Sequence, residues 1–195
     1  MTWTVERLRD FEARVKAAAE RGEVNGPVHL SGGNEEQLIE IFRDIKPGDW
    51  CFSTWRNHYH ALLHGIPENH VWEEIIAGRS ISLNSAYHRF YSSAIVGGCL
   101  PIAVGVAAAI KREQRERHVW CFVGDMAASI GVFHDVMSYS IGHSLPITFV
   151  IEDNGFSTNT PTRETWGCGT DWNMVRYYKY QRTGPHVGIR QRETL

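Results

Sequence analysis

Two short apolar runs, separated by a segment of helical length, constrain this chain more than anything else in it. Val119 to Val123 ends in Gly124-Asp125, and Ile147 to Ile151 ends in Asp153-Asn154-Gly155. Both runs are β-branched and aromatic and are bounded by breakers, as buried parallel strands are. Strand, helix, strand within this span predicts a βαβ unit. Its two strands run the same way, so both finish at one edge of a sheet. Open α/β folds place their ligands at that edge.

Asp125 and Asn154 fall there. One charged and one neutral oxygen beside a helix start suit a hard cation that carries phosphate. Mg²⁺ uses one or two carboxylates and fills its other positions with phosphate oxygens and water, and a helix N-terminus offers free N–H groups to the same phosphates. The same residues also make an ordinary helix cap and an Asn-Gly turn. Spacing alone leaves both readings open.

The other elements are read from periodicity. Val5, Leu8, Phe11 and Val15 predict an amphipathic helix over Thr4 to Arg21, stopped by Gly22. Asn34 can cap a second helix carrying Leu38, Ile39, Ile41 and Phe42. Trp50 to Thr54 reads as a short strand, and Pro67 to Ala77 as a short helix. Gly78 to Ser93 is polar and irregular, a loop. Leu100 to Arg115 is a long apolar helix whose small residues allow close packing, and a further helix is expected from about Ile130 to His143. Alternating aromatics in Arg176 to Gln181 suggest an edge strand. Arg56 can bind phosphate in a forked, bidentate way. His29, in a Gly-rich loop, is by itself a turn residue. His60 and His64 could share a helix face, but no Glu follows His60 as in a zinc protease helix, and no third ligand is evident.

Composition narrows the function classes. A chain of 195 residues with 43% hydrophobic and 22% charged residues suits one globular domain over 1–195. We expect a helical part over 1–46, a ligand-binding core over 47–162 and a shorter tail over 163–195. A net charge of −2 gives no electrostatic case for nucleic acid. The four cysteines have no CxxC spacing, and three lie in apolar surroundings, as reduced thiols of a cytoplasmic protein do. No signal pattern and no run of membrane-span length is evident, so no membrane association is expected.

A resemblance now gives these features a direction. Gly124-Asp125-Met126, twenty-six residues, then Asp153-Asn154 resemble the thiamine-diphosphate motif, Gly-Asp-Gly followed at this distance by Asn-Asn. Met126 replaces a Gly, and Asp153 replaces the first Asn. Asn154-Gly155-Phe156-Ser157 through Thr160-Pro161-Thr162 is similar to the alpha subunit of 2-oxo acid dehydrogenases of the pyruvate and branched-chain type. Trp55-Arg56-Asn57-His58 resembles that family's Tyr-Arg-x-His segment, and the Gly26 to Glu36 stretch its His-Leu loop. The likeness spans roughly Ala17 to Thr162.

The resemblance implies an α/β fold, a three-layer, doubly wound, mostly parallel sheet. It implies Mg²⁺ on Asp125, Asn154 and the Phe156 carbonyl. It implies thiamine diphosphate against Trp55, Arg56, Gly124, Asp125, Met126, Ala127, Asn154 and Phe156, with Ile95 and Val96 near the pyrimidine. Catalytic roles fall to His29 and His58, and to His186 as a late loop histidine. A separately encoded beta-type subunit would supply the glutamate that activates the aminopyrimidine, in an α2β2 heterotetramer. The substrate would be a small 2-oxo acid, decarboxylated with acyl or aldehyde transfer. Carboligase or transketolase-like transfer is the alternative chemistry. A non-catalytic scaffold subunit is the alternative role, because Met126 adds bulk where Gly lets backbone approach phosphate.

Overall fold

Strict alternation inside the apolar runs decides the architecture. In a computed structural model describing residues 2–157, 159–167 and 175–184, the run at Val119 forms strand β4 (Val119–Gly124) and the run at Ile147 forms β5 (Ile147–Asp153). They pair in parallel, Val119 opposite Ile147 through Gly124 opposite Glu152. Side chains of a strand alternate between faces, and the core divides accordingly. Trp120, Phe122 and Val150 join one apolar cluster, while Val119, Cys121, Val123, Phe149 and Ile151 join another.

The full sheet has six strands in the order β2-β3-β1-β4-β5-β8. β1 (Trp50–Ser53) lies between β3 (Phe90–Ser92) and β4, parallel to both. β2 (Asn84–Ser85) is antiparallel to β3, and β8 (Arg176–Lys179) is parallel to β5. The fold is therefore α/β with a mostly parallel sheet. From β1 the chain steps outward to β3, then returns to the other side of β1 for β4 and β5. This reversal opens a crevice at the carboxyl ends of β1 and β4.

The first apolar cluster is built by α1 (Val5–Glu20), α2 (Glu35–Phe42), α3 (His58–Leu63) and α4 (Glu68–Ile76). The second is built by α5 (Cys99–Arg112), α6 (Asp125–Ala128) and α7 (Gly131–Gly142). Thr4 caps α1, its side chain accepting the Arg7 amide at 3.3 Å, and Gly22 past its end adopts φ +78°. A short ribbon, β6 (Phe156–Ser157) with β7 (Thr160–Pro161), leads into α8 (Thr162–Trp166). No helix among the described residues is long and apolar enough to cross a membrane.

Two expectations are corrected. Gly78 to Ser93 is not simply a loop: it holds a 3₁₀ turn at Ser80–Ser82 and strands β2 and β3, which are too short to show alternation in sequence. Asn34 occupies the cap position of α2, but its side chain makes no capping bond. Its amide instead donates to Glu152 Oε1 at 3.1 Å and to the Tyr178 hydroxyl at 3.0 Å. The helix expected from about Ile130 to His143 is α7, and a separate single turn, α6, opens at Asp125 ahead of it.

Candidate active site

The register of β4 and β5 places the acidic groups. Gly124 is opposite Glu152, so Asp125 and Asp153 leave the sheet side by side, with Asn154 one residue further. Asp125 is buried, and its Oδ2 accepts the Thr162 hydroxyl. Burial pushes this carboxyl above its ordinary value of 3.8, the Thr162 bond opposes that, and the charge of Asp153 raises it further. Asn154 folds back on its own turn: Oδ1 accepts the Phe156 amide at 2.9 Å, and Nδ2 donates to the Tyr180 hydroxyl at 3.2 Å. An amide oxygen has a second lone pair, so Oδ1 keeps acceptor capacity.

These groups open onto a cleft of about 720 Å³ at the sheet's carboxyl edge. Every one of the ten residues expected to bind cofactor lines it: Trp55 and Arg56 after β1, Ile95 and Val96 after β3, Gly124 to Ala127 after β4, and Asn154 and Phe156 after β5. Arg56 donates to the Leu30 carbonyl, and burial pulls its guanidinium below its ordinary value. Ile95 and Val96 stand exposed on the rim, 73% and 51%. Met126 is held at the far side, its sulfur accepting the Trp166 indole N–H at 2.9 Å.

The three expected catalytic histidines fare differently. His29 is half-buried, its ring 6.0 Å from that of Trp55, so it flanks the cleft without lining it. His58 is corrected: it does not reach the cleft. It is fully buried, with Nδ1 2.9 Å from Glu12 Oε1 and Nε2 2.8 Å from Ser80 Oγ. With both nitrogens engaged inside the protein, it braces α1 against α3. His186 lies outside the described residues. The two histidines weighed for zinc also diverge. His60 Nδ1 faces Ser53 Oγ at 3.2 Å and its Nε2 lies 3.3 Å from Glu152, whereas the His64 ring packs near Phe42 and Phe90.

Four residues of the site were not anticipated. Glu152 lines the cleft but is buried, held by Asn34 and the Tyr178 hydroxyl. Tyr180 also lines it; burial and the charge of Glu152 push its phenol up to about 12. Cys99 closes the wall behind Gly97, and Thr162 holds Asp125. A carboxylate ending an otherwise apolar strand was the available signal for Glu152. Tyr180 and Thr162 carried none, because only the fold brings them back to β5.

Chemically, the cleft offers hard oxygen donors at Asp125 and Asn154 and a guanidinium at Arg56 within one enclosure. Among the described residues no group of three or more His, Cys, Asp and Glu side chains is placed to hold a metal ion. A cation here would draw on Asp125, Asn154, backbone oxygens and the oxygens of its own ligand, as Mg²⁺ does.

Known proteins are similar to this chain in sequence. The chain is 30% identical over 171 residues to the alpha subunit of acetoin:2,6-dichlorophenolindophenol oxidoreductase of Bacillus subtilis, covering 83% of this chain and 51% of that one. It is 31% identical over 163 residues to the pyruvate dehydrogenase E1 component subunit alpha of Porphyra purpurea, covering 75% and 47%. To the pyruvate dehydrogenase E1 component subunit alpha of Rickettsia prowazekii it is 29% identical over 172 residues, covering 83% and 53%. The chain thus spans about half the length of these relatives. The family model of the dehydrogenase E1 component matches residues 4–172, and with the cleft at the ends of β1, β4 and β5 this chain belongs to the dehydrogenase E1 component family.

Proposed function

We propose that this chain is the alpha-type subunit of a thiamine-diphosphate-dependent enzyme acting on a small 2-oxo acid, with the cofactor diphosphate anchored through Mg²⁺ in the cleft. The observation that carries this reading is convergence: ten residues from four separate segments line one cleft, with Asp125 and Asn154 at adjacent strand ends. Fold supports it too, since two apolar clusters on alternate strand residues suit a three-layer, doubly wound sandwich. The donor set fits the group. A buried Asp125 crowded by Asp153 favours a divalent cation over a proton-free vacancy, and Arg56 offers charge to phosphate.

In this reading Asp125, Asn154 and the Phe156 carbonyl hold Mg²⁺. Arg56, Trp55 and the backbone from Gly124 to Ala127 bind the diphosphate, and Ile95 and Val96 border the pyrimidine. When bound, the cofactor supplies a carbon nucleophile and an electron sink for cleaving the bond beside a 2-oxo group. His29, beside Trp55, donates or accepts a proton at the substrate end. The apolar rim of Ile95 and Val96 excludes water once covered. Glu152 is engaged by Asn34 and Tyr178 and is not available to the aminopyrimidine, so a beta-type partner supplies that glutamate in an α2β2 assembly. Division into 1–46, 47–162 and 163–195, a role for His186 and a cytoplasmic location belong to the same reading.

The names of the relatives support two related chemistries. Pyruvate is a 2-oxo acid, and acetoin is an acyloin. Met126 in the cleft favours keeping one further alternative, a scaffold subunit without cofactor. The test is calorimetric titration of thiamine diphosphate with Mg²⁺ into the chain alone, the chain with a beta-type partner, and Asp125→Ala with that partner. Binding that needs the partner and disappears in Asp125→Ala supports the enzyme reading. Absence of binding in every combination leaves the scaffold. Turnover of 2-oxo acids against acyloins then separates dehydrogenase from carboligase chemistry.

A further inference from the structure

At the opposite, amino-terminal edge of the sheet lies a second cavity, unrelated to the cleft. It measures about 750 Å³, open to solvent, and is lined by Lys46, His64, Tyr87, His88 and Arg89 among others. The ends of α2 and α3, the turn before β1 and the turn before β3 wall it. Arg117 joins the rim as well: a Cβ built on the lining residue Gly48 would lie 3.8 Å from its Nε.

The cations here make no direct ion pair. No carboxylate lines the cavity, and among the described residues Lys46, Arg89 and Arg117 form no ion pair. The charge of buried Asp49 reaches His64, and its oxygens are taken by neutral donors that leave that charge uncancelled. Its Oδ1 accepts the His118 amide at 2.9 Å; its Oδ2 accepts the Lys46 amide at 3.0 Å and the Trp120 indole at 3.3 Å. Asp44 is engaged by Arg176 at 2.6 Å. His64 is pulled below its ordinary value by burial, against a bond to the His88 backbone and the charge of Asp49, with His88 and Arg89 adding to the depression. Arg89 also holds φ +55°, a left-handed conformation uncommon without glycine and frequent where function requires a fixed side chain.

We propose that this cavity binds a small phosphate dianion, either free phosphate or a phosphate monoester. One fork (Arg89), one point charge (Lys46) and a nearby Arg117 match a doubly charged, multi-acceptor oxyanion; burial lowers both imidazoles and His88 Nδ1 already faces Ser85 Oγ at 2.8 Å, so they add N–H donors rather than charge. A monocarboxylate would leave most of this charge unmatched. The Tyr87 ring, 86% exposed and 4.9 Å from the His88 ring, flanks the opening and offers a stacking face to an attached ring. The proposal stands apart from the cofactor reading, and its readout is local.

The test is NMR titration of inorganic phosphate into the full chain, following the ring signals of His64 and His88 at constant ionic strength, with sodium chloride and acetate as controls. The expected result is a saturable shift of both signals and an upward move of the His64 titration. Lys46→Gln and Arg89→Gln, both at exposed or half-exposed positions, should each weaken binding about tenfold, the effect of one charge-assisted hydrogen bond. Adenosine monophosphate binding more tightly than phosphate assigns a ring-bearing monoester; equal affinity assigns the phosphate group alone. Three results overturn the proposal: no saturable shift, equal response to acetate, or unchanged affinity in both variants.

Discussion

Replacing His58 by alanine tests the most consequential correction, because a catalytic and a structural histidine fail in different ways. The side chain is fully buried, 2.9 Å from Glu12 and 2.8 Å from Ser80, with its ring 6.4 Å from Phe11 in an edge contact. Glu12 Oε1 has one further donor, the Ser31 amide at 3.0 Å, and Glu12 Oε2 has none among the described residues. His58→Ala therefore strands a buried carboxylate. Leaving a buried carboxylate short of a hydrogen-bond donor and opening a cavity against Phe11 together cost about 3–5 kcal/mol. Domains of this size are stable by about 5–15 kcal/mol, so the variant should lose a third or more of its stability. Urea titration followed by circular dichroism reads this as a lower midpoint at unchanged slope. Glu12→Gln combined with His58→Ala should recover part of the loss, a coupling of about 0.5–3 kcal/mol. A His58→Ala chain whose midpoint stays within about 0.5 kcal/mol of the parent, yet whose turnover stops, would falsify the bracing role and return His58 to the cleft.

Other consequences follow from the same geometry. Gly33→Ala should lower the melting temperature sharply, by more than about 2 kcal/mol of stability: φ is +96°, and a Cβ would clash with the Gln181 carbonyl; an unchanged melt would mean that this loop does not pack on the segment that follows β8. Asn34→Ala should cost about 1–3 kcal/mol, since the buried Glu152 loses an amide donor; a loss below about 0.5 kcal/mol would refute that role. Asp125→Asn should change the pH dependence of the ligand-free chain. Its carboxyl is raised on folding, so its contribution is fully present below 3.8 and is lost as pH rises through the folded value. The variant should then gain relative stability from pH 4 to pH 7, read by melts across that range; a constant difference would argue against burial as the cause.

Much of this was legible. β4 and β5 announce themselves because each is a run of five or more apolar residues ending in breakers, and their shared direction fixes Asp125 and Asn154 at one edge. β3 could not be read, because three residues show no period; pairing with β1 makes it a strand. His58 misled for a different reason. Its spacing from Arg56 matched a motif, but spacing does not determine where a side chain turns. That depends on Glu12, 46 residues earlier, which only the packing of α1 brings near. The helix expected from about Ile130 to His143 is found as α7, whereas the four-residue turn α6 before it is too short to show a period.

The same register that makes the site legible also makes it costly. Parallel pairing of Gly124 with Glu152 obliges Asp125 and Asp153 to emerge together, and burial of Asp125 removes much of the water that would screen the pair. The protein answers part of this with neutral donors: Thr162 to Asp125, Tyr177 and the Gly155 amide to Asp153. These donors satisfy lone pairs without cancelling charge, so the repulsion persists in the ligand-free chain. A cation bound only in the folded state would cancel it and would stabilise the fold by mass action. The exposed Ile95 and Val96 on the facing rim pose the complementary problem, apolar surface left in water. In both places the folded chain carries a local cost that a ligand or partner would relieve, as is common where proteins act.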